Sequence, residues 1–284
     1  PLMKPAIAVC FLLSFIRSMA DFSSPMIIGG AFNTLATESY LSIIAKGNSP
    51  RASAMSVILF IPSLIVFIVY SHFLKEQQRA SKNLRETQAR MKKRGLYYLV
   101  LALALFFILW LIIQYVAIFS SAITDKYKGE VYFTLQNIKD TIPHIRDSFV
   151  RSIIYSLIAG FFASLIGLVL SFYSYILKSK FIRVIDFISN MPYIVPGTFF
   201  GLGYVFAFNE EPLKLTGTVI IVILNLIFRQ IPMSLRAIQS SMTQIEKATL
   251  NSAKDLGAHN LFILKDMVLP MSYPGLFLSF TNAF

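Results

Sequence analysis

The side chains that most often carry chemistry are few and scattered in this sequence. His72, His144 and His259 have no second ligand at metal-binding spacing, no cysteine nearby and no paired acids, so neither a metal centre nor acid–base catalysis is implied. Cys10 is the single cysteine and sits in the apolar run AIAVCFLL, where packing is its expected role. There is no nucleophile elbow and no G-x-x-x-x-G-K-[S/T] loop, so any nucleotide chemistry has to come from a separate subunit. No catalytic residue and no metal ligand is expected. The polar residues whose spacing is informative lie in NSAKDLGAHNLFILKDMVLP, residues 251–270, between two apolar stretches. Their charges flank a lone Gly257, and the chemistry open to them is recognition by another protein.

Local signals say how such a segment is positioned. Thr243-Gln244-Ile245-Glu246 fits a capping box with Thr243 as N-cap. Ile245, Thr249, Ser252 and Leu256 then share one face of a short helix, and Gly257 is suited to the C′ position, where φ is positive. Asn260 is placed to cap a second helix, LFILKDMV, which Leu269-Pro270 ends. The expected product is a helix–glycine–helix elbow, shaped to be gripped by a partner or to rest on lipid.

The rest of the chain is membrane-like. It is 56% hydrophobic and 14% charged, against about 25% charged in soluble domains. Apolar runs long enough to cross about 30 Å of hydrocarbon recur at about 6–20, 52–73, 96–123, 152–177, 187–208 and 215–235, with a seventh starting near 275. The fold class expected is all-α, a polytopic membrane helix bundle. Net charge is +12, but the basic residues gather between spans. Anionic lipid explains them, and no nucleic-acid partner is expected. The densest run, KEQQRASKNLRETQARMKKR (75–94), is read as cytoplasmic. Counting spans from it puts 178–183 and 236–273 inside, and 21–51, 124–149 and 209–214 outside. Arg229 is read near one end of its span, where it can snorkel. Ser156, Gly160, Ser164, Gly167 and Ser171 share one face, as close helix packing requires. Pro192, Pro196 and Gly197 make the span 187–208 irregular, and a broken helix at membrane depth is tolerated where it lines a cavity. Asn190, Pro192, Tyr193, Pro196 and Gly197 are the candidate translocation path.

The elbow resembles the cytoplasmic signature loop of ABC importer permeases: Glu-Ala-Ala, three residues, Gly, then about a dozen residues to Leu-Pro. Ala253, Asp255, Leu256, Gly257, Ala258, Leu269 and Pro270 agree, as do Pro274 and Gly275. Asn251 replaces the glutamate and Ser252 the first alanine, so the usual carboxylate contact to the ATPase is missing. The resemblance implies a bundle of the ABC importer permease type, in the bacterial inner membrane. It also implies that 251–270 is the coupling loop docking on a dimeric ATP-binding subunit. ATP and its magnesium would belong to that partner, with no cofactor in this chain. An extracytoplasmic solute-binding protein would deliver the cargo.

PLMKPAIAVCF (1–11) aligns with PMSYPGLFLSF (270–280), sharing Pro1/Pro270, Pro5/Pro274 and Phe11/Phe280. The chain therefore reads as a window on a longer protein of two similar modules. Residues 1–74 would end the first module, 75–94 would be the basic linker and 95–284 most of the second. SFIRSMADFSSPMIIGGAFNTLATESYLSII, together with FTLQNI and FVRSIIYSL, resembles fused two-module ferric iron permeases. Permeases for aminoalkylphosphonate, polyamine, thiamine or sulfate share much of this pattern. An ion-coupled secondary transporter is disfavoured, because Arg17, Asp21, Arg151, Asp186 and Arg229 are read near span edges and mid-membrane ionisable relays are lacking. Asn225, Gln114 and Tyr115 are expected to hydrogen-bond between helices.

Overall fold

The computed structural model describes residues 4–82, 94–127, 130–176, 180–193, 195–243, 245 and 247–284. Helices α1 (Lys4–Ala20), α2 (Ser23–Ile28) and α3 (Leu35–Ile44) lead into α4 (Ser49–Lys82). Then come α5 (Arg94–Ala122), a hairpin of β1 (Thr124–Tyr127) and β2 (Glu130–Phe133), and α6 (Gln136–Ile176). α7 (Lys180–Asn190) is joined through a 3-10 turn, Met191–Tyr193, to α8 (Gly197–Phe208) and α9 (Val219–Met242). The chain closes with α10 (Lys247–Asp255), α11 (Asn260–Phe262), a π-helical stretch (Ile263–Val268), α12 (Leu269–Met271) and α13 (Tyr273–Ala283). Among the described residues four helices are long and apolar enough to cross a membrane: Ser49–Tyr70, Tyr97–Ala122, Gln136–Tyr175 and Val219–Met242. The pair Asn260–Met271 and Tyr273–Ala283 passes the same test when taken together and is bent by 76° at its break. This is a multi-pass, all-α membrane protein with one small hairpin.

Contacts divide the chain into two compact units. One is Asn83–Ser152, the other is built from residues up to Lys82 and from Ile153 onward. In the first, α5 is exposed along its apolar stretch Tyr97–Ala122, and the residues described between 124 and 149 form a hairpin and the start of a helix. Its hairpin pairs Thr124 with Phe133 and Tyr127 with Glu130, and α6 then starts at Gln136. Most of the basic run, 83–93, lies outside the described residues, while its start extends α4 to Lys82.

In the larger unit the small residues of α6 are its packing face. A Cβ on Gly167 would lie 2.8 Å from the Ser234 Cβ. The Ser171 hydroxyl donates to the Leu235 carbonyl at 3.2 Å, and the Tyr175 hydroxyl to the Ile245 carbonyl at 2.9 Å. These pairings ascend together along both helices, so α6 and α9 run parallel. Two parallel helices need one return crossing between them. Residues 180–208 supply it, with the expected break: α8 alone has 12 residues, only about 18 Å of helix. Side of the membrane follows independently. Phe60 of α4 stacks on Phe199 at the start of α8, whose Gly197 adjoins Arg229, and Tyr70 lies under Arg236, 5.6 Å from ring centre to guanidinium. α4 and α9 therefore point the same way, and the basic end of α4 shares a face with the segment after α9. The positive-inside rule makes that face cytoplasmic.

α13 returns antiparallel to α9. A Cβ on Gly275 would meet the Ser241 Cβ at 2.7 Å and the Ala237 carbonyl oxygen at 3.0 Å, whereas one on Gly201 meets nothing within 4 Å. Gly275→Val should therefore destabilise the bundle by about 1–3 kcal/mol, the usual effect of overpacking, while Gly201→Ala leaves it unchanged. Thermal unfolding of the two purified variants checks this, and equal midpoints would contradict the packing described.

Candidate functional site

The segment after α9 forms the elbow, with details that differ from the sequence expectation. Thr243 is not an N-cap. It ends α9 in the helical conformation and its hydroxyl donates to the Ser240 carbonyl. α10 begins only at Lys247, and Glu246, the other half of the expected box, lies outside the described residues. The cause is tertiary: Ile238 and Met242 are fully buried, which holds the last turns of α9 in helix beyond the apolar run.

At the other end of α10 the geometry is as the glycine suggested. Gly257 has φ +83°, its N–H donates to the Lys254 carbonyl, and that of Ala258 donates to Ala253. This pair of bonds is a Schellman motif. α10 buries Leu250 and rests Ala253 on a cluster of Leu168, Phe172, Ile238, Met242, Ile245, Ile263 and Val268. Ile245 precedes the helix and is buried, so it does not share a face with Thr249, Ser252 and Leu256, which are exposed. Asn251, Asp255 and Gly257 are exposed too, and Ala258 packs on the same cluster as Ala253.

The second arm is capped by His259, whose Nδ1 accepts from the Leu261 N–H, and not by Asn260, the first helical residue. Nor does Leu269-Pro270 end it. Pro270 lacks an N–H and its ring crowds the carbonyl four residues back. The helix widens just before it, with the Leu269 N–H reaching the Leu264 carbonyl, and continues to Met271. Leu269 and Pro270 are both exposed. The sharp turn comes at buried Ser272, where α13 departs. The finished elbow presents Leu256, Leu261 and Phe262, 89%, 62% and 59% exposed, and anchors Ile263 and Val268 at 0%.

The candidate path residues divide. Pro192 and Gly197 line a cavity of about 510 Å³. Pro196 is fully buried at the start of α8. Asn190, also buried, donates to the Asp186 carbonyl at 2.6 Å and accepts from Arg236 at 3.2 Å, so it ties α7 to α9. Tyr193 closes the 3-10 turn, and its side chain lies outside the described residues.

The other walls of the cavity come from residues the sequence did not bring together: Arg17 and Asp21 at the end of α1, and Arg229 and Gln230 on α9. Arg229 is not at a span edge. It is the eleventh of the 24 residues of α9, about 15 Å from the first. A guanidinium within the length of a spanning helix is costly to expose to lipid, which makes it a candidate functional group. Asn225, expected to bond between helices, has a buried Oδ1 with no hydrogen-bond partner. Among the described residues no group of three or more His, Cys, Asp or Glu could hold a metal ion.

Comparison with curated proteins gives three relatives. The chain is 28% identical over 292 residues to the ferric transport system permease protein FbpB of Actinobacillus pleuropneumoniae, covering 100% of this chain and 42% of that protein. It is also 28% identical over 292 residues to the putative ferric transport system permease protein FbpB 1 of Haemophilus influenzae, covering 100% and 46%. A probable ABC transporter permease protein, y4fN, of Sinorhizobium fredii is 21% identical over 300 residues, covering 96% and 51%. The chain spans less than half the length of the first two. No family model matches it, and no solved structure matches it significantly. The resemblance to ABC importer permeases read from the elbow thus extends along the whole chain. All three relatives are named as permeases.

Proposed function

We propose that this chain is the membrane-spanning part of an ATP-driven importer of the bacterial inner membrane, that ferric iron is the cargo, and that 251–270 is the coupling loop. The observation that carries the reading is the elbow. Its outer surface offers Leu256, Leu261 and Phe262, while Ile263 and Val268 are clamped against the ends of α6 and α9. A rigid block with an apolar knob on one side and helix ends on the other can pass a rigid-body push into the membrane. The names of the relatives support iron as cargo.

In this reading a dimeric ATP-binding subunit grips the elbow and holds the ATP and magnesium, and lipid surrounds the bundle. A solute-binding protein docks outside, over 21–51, 124–149 and 209–214. Residues 1–74 belong to one permease module and 95–284 to a second, joined by 75–94. The path runs past Pro192 and Gly197, with Asn190, Tyr193 and Pro196 shaping the break beside it. Asn251, where the family carries glutamate, contributes a neutral amide to the docking surface, leaving Leu256 and its neighbours as the main contact.

A cysteine cross-link tests this directly. Leu256→Cys in the full-length permease, paired with single cysteines along the docking groove of the ATPase, should form a disulfide whose yield changes with ATP. Absence of any cross-link, with no ATPase co-purifying, would remove the proposal.

A further inference from the structure

The cavity has a chemistry that the transport reading does not supply. Two guanidiniums, Arg17 and Arg229, and the Gln230 amide face it, with one carboxylate, Asp21. That carboxylate is already engaged: its Oδ1 accepts from the Ser23 N–H at 3.0 Å and the Ser24 N–H at 3.3 Å, at the start of α2. The Ser24 hydroxyl and these amides hold the Asp21 carboxyl below its ordinary range, so it stays ionised and serves the loop. Among the described residues no carboxylate forms an ion pair with Arg229. Its guanidinium lies over Gly197, with Nη1 3.6 Å from where a Cβ would stand. Gly197 opens α8, whose N-cap, Pro196, makes no side-chain capping bond. The positive end of that helix therefore adds to the two arginines. A fork of N–H donors in such a pocket matches the oxygens of carboxylate or phosphate, and a bare trivalent cation would be repelled there.

We propose that the cavity between Arg17 and Arg229 is an oxyanion site, and that cargo passes it as an anionic, oxygen-liganded complex and not as a free cation. The transport half rests on the importer reading, whereas the binding half stands on the cavity alone. About 510 Å³ is within the range of small-molecule pockets, enough for a chelated ion or a phosphate-bearing solute.

The test uses the full-length permease with its ATPase subunit in nanodiscs, with radiolabelled orthophosphate and ferric citrate as probes. Both should compete for one site. Arg229→Gln and Arg17→Gln should each weaken binding tenfold or more, with Arg229→Lys keeping part of it. If Arg229→Gln does not assemble, Arg17→Gln on the opposite wall carries the test. Binding of orthophosphate without ferric citrate would keep the oxyanion site and count against iron as cargo. Equal binding of both probes by wild type and the glutamine variants would overturn the site, as would iron uptake that needs no chelating anion and survives Arg229→Gln. Pull-down of the ATPase from the same preparations reads the elbow separately, so its loss would count against the importer reading and not against the cavity.

Discussion

Leu256→Asp is expected to strip the ATPase subunit from the permease while leaving the bundle folded. Leu256 is 89% exposed, so a carboxylate there disturbs no core. In the free protein the side chain covers nothing, and its apolar surface is only useful once a partner closes on it. If it fills a groove on the ATPase, burying an aspartate in its place costs what a central interface residue usually contributes, about 2 kcal/mol or more. That is about a 30-fold loss of affinity. Transport should fall to background with it, because Leu256 is the most exposed apolar side chain of the elbow and no exposed residue of α10 itself offers a comparable apolar knob. Pull-down and uptake in proteoliposomes measure the two effects, and an unchanged circular dichroism spectrum shows that the fold survives. The rival in which the elbow rests on lipid makes a different forecast. Leu256→Asp would then leave ATPase association at the wild-type level, an outcome that removes the docking role.

Much of this geometry was legible in the sequence because it is set locally. The uncharged run that became α5 has no alternative to a long helix. Gly257 marks a turn through its backbone freedom. Pro192 and Pro196 break the return crossing because neither can donate the helical bond. What escaped depends on contacts distant in the chain. Thr243 fits a capping box, yet burial of Ile238 and Met242 carries α9 past the end of the apolar run and turns that threonine into a helix end. The same extension moves Arg229 from a span edge to mid-helix. Arg236 and Gln239 read as loop residues, but both belong to α9. Asn190 accepts from the guanidinium of the first, and the amide of the second reaches the Asp186 carboxylate at 3.3 Å, so polar residues of α7 receive them within the fold. The choice between Asn260 and His259 as cap is a single step of register, and either side chain can accept the bond. The cavity was the hardest feature to foresee. Arg17 and Arg229 belong to helices that only the tertiary fold makes neighbours, and no short motif joins them.

Ile263→Ala should separate docking from transmission, which Leu256→Asp cannot do. Ile263 is fully buried, in a cluster shared with Leu168 and Phe172 of α6 and Ile238 and Met242 of α9. Truncating it leaves a cavity beneath the elbow and costs about 2–5 kcal/mol, so the thermal midpoint should drop clearly. The outward residues Leu256, Leu261 and Phe262 are untouched. The ATPase should therefore still co-purify at the wild-type level, and its basal hydrolysis should persist. The stimulation of hydrolysis by cargo-loaded binding protein should be lost, together with uptake, because a loosened joint absorbs the displacement that a close-packed one transmits. Ile263→Val removes one methylene, costs about 0.5–1.5 kcal/mol and should keep most of the coupling, which distinguishes lost contact from any change at this site. Full stimulation in Ile263→Ala would show that force reaches the membrane by another route. Loss of the ATPase as complete as in Leu256→Asp would show that the cluster shapes the docking surface itself. The two variants together therefore ask whether the elbow is a handle, a lever, or both: Leu256, Leu261 and Phe262 supply the grip, and the π-helical stretch with its two fully buried aliphatic residues supplies the bearing on α6 and α9.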